Sequence, residues 1–170
     1  MKNNKVNKTA LAGLFAALTC VATLVVFPIP TMTNGYVNAG DALVILSAFL
    51  LGPVWGAAAA AVGSTLADIF LGYFIYAPAT LIIKGLMALV AGTILRQFGK
   101  KQLLLPSIIA SIVAELIMIS GYFSYEILLY GVAGAVGSLI GNSIQAVFAV
   151  VIAVVLFMAL KRIRYVQDNF

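Results

Sequence analysis

The chain has 170 residues, of which 64% are hydrophobic and 9% are charged. A soluble domain of this length is about 45–50% apolar and about 25% charged, so these polar residues are too few to coat a water-exposed surface. The composition excludes a soluble globular protein and indicates one that lies in a lipid bilayer. A spanning helix takes about 20 residues, so roughly six or seven spans fit and no soluble domain is left over. We expect a single integral-membrane domain over residues 1–170.

The residue types exclude several kinds of chemistry. The chain has no histidine and one cysteine, Cys20, which argues against a disulfide framework, a zinc site, a haem site and catalysis by a histidine base. No G-x-x-x-x-G-K-[ST] sequence is present, so ATP hydrolysis by the P-loop route is excluded. No nucleophile–base pair is visible either. We therefore expect no enzymatic activity, no metal and no cofactor.

The placement of the basic residues is more informative than the formal net charge of +5. Nine of the ten Lys and Arg fall in three clusters: Lys2, Lys5 and Lys8; Arg96, Lys100 and Lys101; Lys161, Arg162 and Arg164. A nucleic-acid binder would spread them over one water-facing surface, whereas these clusters bracket hydrophobic stretches, as the positive-inside rule describes. We expect no nucleic-acid partner and place all three clusters in the cytoplasm.

The first apolar run, about Thr9 to Phe27, carries the chain outward and stops at Pro28-Ile-Pro30. Its basic start is also typical of a signal peptide, but no A-x-A cleavage site leads into a soluble domain, so we expect a retained first helix. The polar segment from Thr31 to Gly40 follows on the outside.

The uncharged stretch between Asp41 and Asp68 is either one kinked helix or two helices broken at Gly52-Pro53. Three basic clusters on one side require an even number of crossings between each pair, so two helices are predicted, Asp41–Leu51 and Pro53 to about Gly72. The first would be only about 17 Å long, which is too short for a 30 Å hydrocarbon core unless the preceding segment enters the bilayer or the membrane thins.

Three further helices complete the predicted topology. They run from Pro78 to Arg96, from Pro106 to Tyr122 and from Gly131 to Leu160, with the aromatic segment Phe123–Tyr130 as an outer interfacial loop. The prediction is thus an all-α membrane protein with six transmembrane helices and with both the N and C termini in the cytoplasm.

Ionisable residues inside the predicted helices are the candidates for a site, because such a group costs about 2.5–3.5 kcal/mol at the bilayer centre. Lys84 lies about 9 Å below the outer start of its helix, and Glu115 lies roughly 10–14 Å below the outer end of its own. Asn142 and Gln145, three residues apart, share a helix face near the midplane. Gly134, Gly137 and Gly141 would ease the approach of neighbouring groups to that helix.

These features predict a polar cavity that opens outward and is closed toward the cytoplasm. Aromatic rings with a few amide, carboxylate and ammonium groups suit a planar polar heterocycle. The predicted binding residues are Asn38, Asp41, Tyr76, Lys84, Glu115, Tyr122, Asn142 and Gln145.

Simpler interpretations stay open for each of these residues. Lys84 and Glu115 could form an ion pair that only fixes helix register, and Asn142 and Gln145 could only tie helices together. The tyrosines could belong to an interfacial belt, and Asp41 and Asp68 could be water-exposed helix ends. The site interpretation gains because the polar groups come from several helices and share one level.

The first helix carries a possible docking strip near its cytoplasmic end. Ala12 and Ala16 form A-x-x-x-A, and Gly13 and Ala17 form a second small pair one residue on. Small-xxx-small strips pack against other helices, in the same chain or in another.

The sequence has a predicted binding cavity but no P-loop and no inverted repeat of broken helices. This combination indicates that the energy for transport comes from another subunit.

Several stretches resemble one known family. They are Tyr36-Val-Asn-Ala-Gly-Asp41, Leu51-Gly-Pro-Val-Trp-Gly56, Gly63-Ser-Thr-Leu-Ala-Asp68, Tyr76-Ala-Pro78 and Ile83-Lys84-Gly85. This pattern resembles the substrate-binding S components of energy-coupling factor (ECF) vitamin transporters, most of all the hydroxymethylpyrimidine, pyridoxine and riboflavin group. It covers about Ala10 to Gly92 well and the remainder mainly in topology.

The resemblance implies a cell-membrane protein that captures a vitamin from outside. It would deliver the vitamin with a transmembrane coupling subunit of the EcfT type and two cytoplasmic ATPase subunits, in the manner of an ABC importer. In the family an A-x-x-x-A motif contacts the coupling subunit, and Ala12 and Ala16 match it. A pyrimidine or pyridine ring is preferred to riboflavin, which needs a larger cavity.

The competing hypothesis is a self-sufficient secondary transporter. In that case Glu115 or Asp68 would carry a proton, and transport would need no other chain.

Overall fold

The computed structural model describes residues 4–28, 36–98 and 103–161. Its elements, in chain order, are α1 (Asn4–Leu24), β1 (Val26–Pro28), β2 (Tyr36–Asn38), α2 (Gly40–Leu51), α3 (Pro53–Phe70), α4 (Ala77–Gln97) and α5 (Leu104–Leu160). The predicted all-helical architecture is confirmed, with one short antiparallel ribbon added, in which Val26 pairs with Asn38. Four of these helices, all except α2, are long and apolar enough to cross a membrane.

Helix α2 is the centre of the bundle. Its sequence GDALVILSAFLL is apolar on nearly every face, and such a helix is stable only where it is enclosed. Val44, Ile45 and Phe49 are fully buried, and the Phe49 ring lies 5.0 Å from the ring of Phe157 near the end of α5. The prediction that residues 41–51 form a helix separate from the next one is therefore confirmed.

The break between α2 and α3 follows from two adjacent residues. Gly52 has a φ of +84°, a left-handed conformation that favours glycine, and Pro53 occupies the first turn of α3. The chain thereby reverses at this point, and α3 packs back along α2. A Cβ on Gly56 would lie 2.5 Å from the Ala48 Cα, so the two helices approach backbone to backbone.

The long helix α5 contains a second reversal. Gly131, with φ +73° and ψ 174°, is not helical and divides α5 into residues 104–130 and 132–160. A continuous helix would separate Glu126 from Ser138 by about 18 Å along its axis. The Ser138 hydroxyl instead donates a hydrogen bond to the Glu126 carboxylate, so the two segments fold back on each other.

The predicted outer loop at residues 123–130 is wrong, because this segment is helical up to the reversal. Its aromatic side chains have partners on the α3–α4 turn. The Tyr125 hydroxyl donates to the Ile75 carbonyl, and the Tyr125 and Tyr76 rings lie 5.9 Å apart. These contacts stabilise the last turns of the first α5 segment. The composition of this segment alone had predicted an outer loop at the membrane–water interface.

One end of the bundle gathers the ends of several elements. Helix α1 ends there, the β1–β2 ribbon and the start of α2 lie beside it, and α3 ends and α4 begins there. The reversal of α5 at Gly131 lies at the same end. The opposite end holds the described basic residues Lys8, Arg96 and Lys161. This arrangement brings together side chains that are far apart in the sequence.

Candidate functional site

A cavity of about 660 Å³, its open mouth included, lies at the end of the bundle where α4 begins. Its lining residues are mostly polar and come from four helices, α1, α3, α4 and α5, from the turn between α3 and α4 and from β2: Thr23, Asn38, Ser64, Asp68, Tyr73, Tyr76, Thr80, Lys84, Tyr122, Glu126, Ser138, Gly141, Asn142 and Gln145. The convergence of hydroxyl, amide, carboxyl and ammonium groups is what distinguishes it from a packing defect.

The floor of the cavity is a hydrogen-bonded network centred on Asp41. The Lys84 ammonium donates to Asp41 Oδ1, and the two side chains form an ion pair with exposures of 4% and 1%. The Gln145 amide donates to the other carboxylate oxygen, Oδ2, over 2.6 Å. Both oxygens of the buried carboxylate are thus satisfied, which a charge in a low-dielectric interior requires.

Gln145 continues this network to the ribbon. Its carbonyl oxygen accepts from the Asn38 backbone N–H over 2.8 Å and from the Asn38 side-chain amide over 3.3 Å. The Asn38 side-chain oxygen in turn accepts from the backbone N–H of Gly40 at the start of α2. The second half of α5 is therefore fixed to the ribbon and to α2. Gln145 thus ties elements of the fold together, which is what the simpler interpretation of this residue predicts.

Glu115 stands next to this network but outside its hydrogen bonds. Its side chain is 2% exposed and lies within electrostatic range of Lys84 and Asp41. Neither carboxyl oxygen has a hydrogen-bond partner in the described part of the chain. The interpretation of Lys84 and Glu115 as a structural ion pair is therefore corrected, since Asp41 takes that place.

Aromatic rings form the upper wall. The Tyr76 ring lies 6.2 Å from the Tyr73 ring and 6.5 Å from the Tyr122 ring, both in tilted or edge contacts. The Tyr122 hydroxyl shares a 2.9 Å hydrogen bond with Thr80, and Lys84 Nζ lies 5.2 Å from the centre of the Tyr122 ring. These tyrosines therefore pack against one another in the cavity lining and are not scattered along the surface.

Glu126 occupies the wall beside the α5 reversal. It accepts hydrogen bonds from the Ser138 hydroxyl and, over 3.3 Å, from the Tyr76 hydroxyl. Asp68 lines the opposite part of the wall at the end of α3, with 3% exposure. Two carboxyl groups thus face the cavity in addition to Asp41 below it.

Two lining groups keep hydrogen-bonding capacity. The Ser64 hydroxyl is 1% exposed and has no partner among residues 4–28, 36–98 and 103–161. Asn142 is half-buried on the α5 face that carries Gln145. A bound polar molecule would satisfy such groups, and a buried hydroxyl without a partner costs about 1–3 kcal/mol.

Six of the eight predicted binding residues line the cavity: Asn38, Tyr76, Lys84, Tyr122, Asn142 and Gln145. The other two, Asp41 and Glu115, lie behind the floor. Sequence reasoning left Asp68, Tyr73 and Glu126 out of the predicted binding residues, and it missed Thr23, Ser64, Thr80 and Ser138 altogether. Helical spacing would have found three of these last four, because Ser64 is four residues before Asp68, Thr80 is four before Lys84 and Ser138 is four before Asn142.

One face of the small-residue strip of α1 is buried in the helix bundle, and the other is exposed on its surface. Ala12 is 7% exposed and packs with Leu51 and Ala59, which is the intramolecular alternative. Ala16 is half-buried, and a Cβ on Gly63 would lie 2.3 Å from its carbonyl oxygen. Gly13 and Ala17 face outward. Ala12 is therefore largely covered by the chain itself, and the contact of Ala12 and Ala16 with a coupling subunit stays a prediction.

The fold and the cavity define a multi-pass membrane protein with a polar cavity between its helices. Comparison with known families identifies it more closely. The model of the S component of ECF-type riboflavin transporters matches residues 3–162, and the chain belongs to this family. It is therefore an integral membrane protein and the substrate-binding S component of an ECF transporter, in a family of transporter components and not of enzymes. The self-sufficient secondary transporter is not favoured.

Similar proteins have diverse descriptions. A protein of Pyrococcus woesei, described as uncharacterized, is 38% identical over 149 residues, which cover 86% of this chain and 95% of that protein. The thiamine precursor transporter HmpT of Lactococcus lactis is 29% identical over 163 residues, covering 95% and 92%. A solved bacterial ECF S component has the same fold, with a TM-score of 0.70 at 22% identity, covering 94% of this chain and 98% of that one.

Proposed function

We propose that the cavity binds a small water-soluble vitamin or precursor with a single pyrimidine- or pyridine-sized ring. The observation that carries this proposal is the pairing of an aromatic wall with a polar floor. Tyr76 and Tyr122 place aromatic rings in the lining, and Asn142 and Ser64 place an amide and a hydroxyl there that can form hydrogen bonds to a ring edge. The described function of HmpT, a thiamine precursor transporter, supports the same class of ligand.

The family model carries the name of riboflavin, whose three-ring system and ribityl chain form a larger ligand. The side chains of Lys84 and Gln145 project from the floor, and their hydrogen bonds to Asp41 fix them there. Because these two side chains are held in the floor, we rank the single-ring ligand first and riboflavin, which is larger, second. Equilibrium binding of hydroxymethylpyrimidine, pyridoxine and riboflavin to the purified protein would rank them, and tightest binding of riboflavin would reverse our order.

We further propose six spans with both termini in the cytoplasm, the two segments of α5 each crossing once. The supporting observations are the reversal at Gly131 and the basic residues at the bundle end opposite the cavity. The test is cysteine labelling in intact cells in a Cys20→Ala background. Phe74→Cys should react with an impermeant maleimide from outside, and Phe98→Cys should react only after permeabilisation. The reverse pattern would overturn the orientation.

We propose that uptake depends on a transmembrane coupling subunit and two cytoplasmic ATPase subunits, with α1 as the contact. Because Ala12 is buried within the chain, the contact would be made by Ala16 together with the outward-facing Gly13 and Ala17. Uptake of labelled ligand should require coproduction of the energising subunits. Transport driven by a pH gradient through the isolated chain would contradict this proposal.

A further inference from the structure

The part of the cavity wall where α1 meets α3 contains two buried hydroxyl groups. The Ser64 side chain of α3 is 1% exposed and lines the cavity, and the Thr19 side chain of α1 is 0% exposed. Neither hydroxyl has a hydrogen-bond partner in the described part of the chain. A buried donor without a partner is unfavourable, so a bound molecule that accepts the Ser64 proton would gain a hydrogen bond at this wall.

Ser64 differs in this respect from other serines of the same chain. Five of them donate the hydroxyl proton, over 2.7–2.8 Å, to a backbone carbonyl three or four residues earlier in their own helix: Ser47, Ser107, Ser111, Ser120 and Ser124. This bond is the common way for a serine to satisfy its hydroxyl inside an apolar helix. Ser64 makes no such bond to α3, so its proton stays available to the cavity.

The two helices close against each other directly below these hydroxyls. Thr23, four residues after Thr19, lines the cavity, so Thr19 lies one helical turn deeper. A Cβ on Gly63 would lie 2.3 Å from the Ala16 carbonyl oxygen and 3.0 Å from the Thr19 Cβ. A ring cannot pass between α1 and α3 at this point, whereas a substituent at the edge of a ring can meet the Ser64 hydroxyl at the wall.

The group that meets Ser64 must accept a hydrogen bond, because the serine proton is what lacks a partner. The oxygen of an alcohol accepts it, whereas an amino group on an aromatic ring only donates and a methyl group does neither. We infer that the wall at Ser64 is the subsite for an alcohol group on a side arm of the ring ligand, and that Ser64 is the residue that recognises this group. The inference rests on the proposed function, since it names the substituent that the ring presents to the wall.

The test pairs each ring alcohol with an analogue that lacks the alcohol group. Hydroxymethylpyrimidine and pyridoxine are titrated beside their deoxy analogues, in which methyl replaces hydroxymethyl, and riboflavin beside lumiflavin, in which methyl replaces the ribityl chain. The alcohol that binds best to the purified, detergent-solubilised protein should exceed its analogue about tenfold. Equal binding of the two would overturn the subsite and leave the proposed function standing. Failure of all three alcohols to bind would overturn the proposed function and this inference with it.

A serine variant assigns the preference to its residue. Ser64→Ala should lower the affinity for the alcohol about tenfold and leave that for the analogue unchanged, so that the two bind alike. Ser111→Ala is the matched control, because Ser111 is also buried but donates to the Ser107 carbonyl and lies outside the cavity lining. It should keep the parent preference. An equal fall for alcohol and analogue in Ser64→Ala, or a lost preference in Ser111→Ala, would overturn the assignment.

Thermal unfolding without ligand separates binding from folding in the same variants. The Ser64 hydroxyl makes no hydrogen bond within the described ranges, whereas the Ser111 hydroxyl makes one to its own helix. Ser64→Ala should therefore lower the melting temperature of the ligand-free protein less than Ser111→Ala does. The reverse order would show that the Ser64 hydroxyl serves the fold, and it would overturn the assignment of this group to the ligand.

Discussion

Lys84 of α4 and Asp41 of α2 form an ion pair under the cavity, with side-chain exposures of 4% and 1%. The two residues are 43 positions apart in sequence, so the pair joins two helices that are not neighbours along the chain. Because α2 touches every other helix of the bundle, this one contact couples the ligand site to the packing of the core.

Removal of only one partner should therefore be costly. Lys84→Met leaves the Asp41 carboxylate buried without a cation, and a loss of about 3–5 kcal/mol in the free energy of unfolding is expected. Ligand binding should weaken as well. The double variant Lys84→Met, Asp41→Asn removes both charges and should recover most of the stability. Thermal unfolding in detergent measures the stability of the single and of the double variant. An equal loss of stability in the two would contradict the coupling.

Removal of the Glu115 carboxyl group should raise the stability of the protein, in contrast to the loss of Lys84. Its two oxygens are buried and have no hydrogen-bond partner in the described part of the chain, so Glu115→Met removes a desolvation cost of about 1–3 kcal/mol. We expect a higher melting temperature than in the parent protein. A lower one would show that the carboxyl group stabilises Lys84 through their electrostatic contact.

Two glycines test the close approach of α1 and α3. A Cβ on Gly63 would lie 2.3 Å from the Ala16 carbonyl oxygen, whereas a Cβ on Gly13 would meet nothing within 4 Å. Gly63→Ala should destabilise the protein by about 1–3 kcal/mol through overpacking. Gly13→Ala should instead gain roughly 0.5–1 kcal/mol from the lower helix propensity of glycine. Thermal unfolding compares them, and equal effects would contradict the contact.

The α1 strip can be separated into its two faces. Ala12→Leu introduces a large side chain against Leu51 and Ala59, so both the stability of the isolated chain and its assembly should fall. Ala17→Leu alters the exposed face, so copurification with a coupling subunit should be lost while ligand affinity survives. Retained assembly in Ala17→Leu would place the contact elsewhere.

The positions of the helices were largely determined by the sequence. Pro53 and the glycine before it separate α2 from α3 by local backbone geometry, and the predicted boundary at Gly52-Pro53 is confirmed. The boundary at Gly131 was also predicted, as the start of the last helix, and the chain reverses there. Segment 123–130 was mispredicted because aromatic residues with one glutamate are typical both of an interfacial loop and of the end of a helix.

The sequence by itself determined that the chain lies in a membrane, where its helices begin, and at which level its polar residues gather, since hydropathy and helical rise act along the chain. Only the tertiary structure decided which groups meet at that level. Depth along a helix gives no direction around it, so the sequence paired Lys84 with Glu115, which lies at a similar depth, and left Asp41 at a helix end. The packing of α2 inside the bundle brought Asp41 to Lys84 and left Glu115 outside the hydrogen bonds.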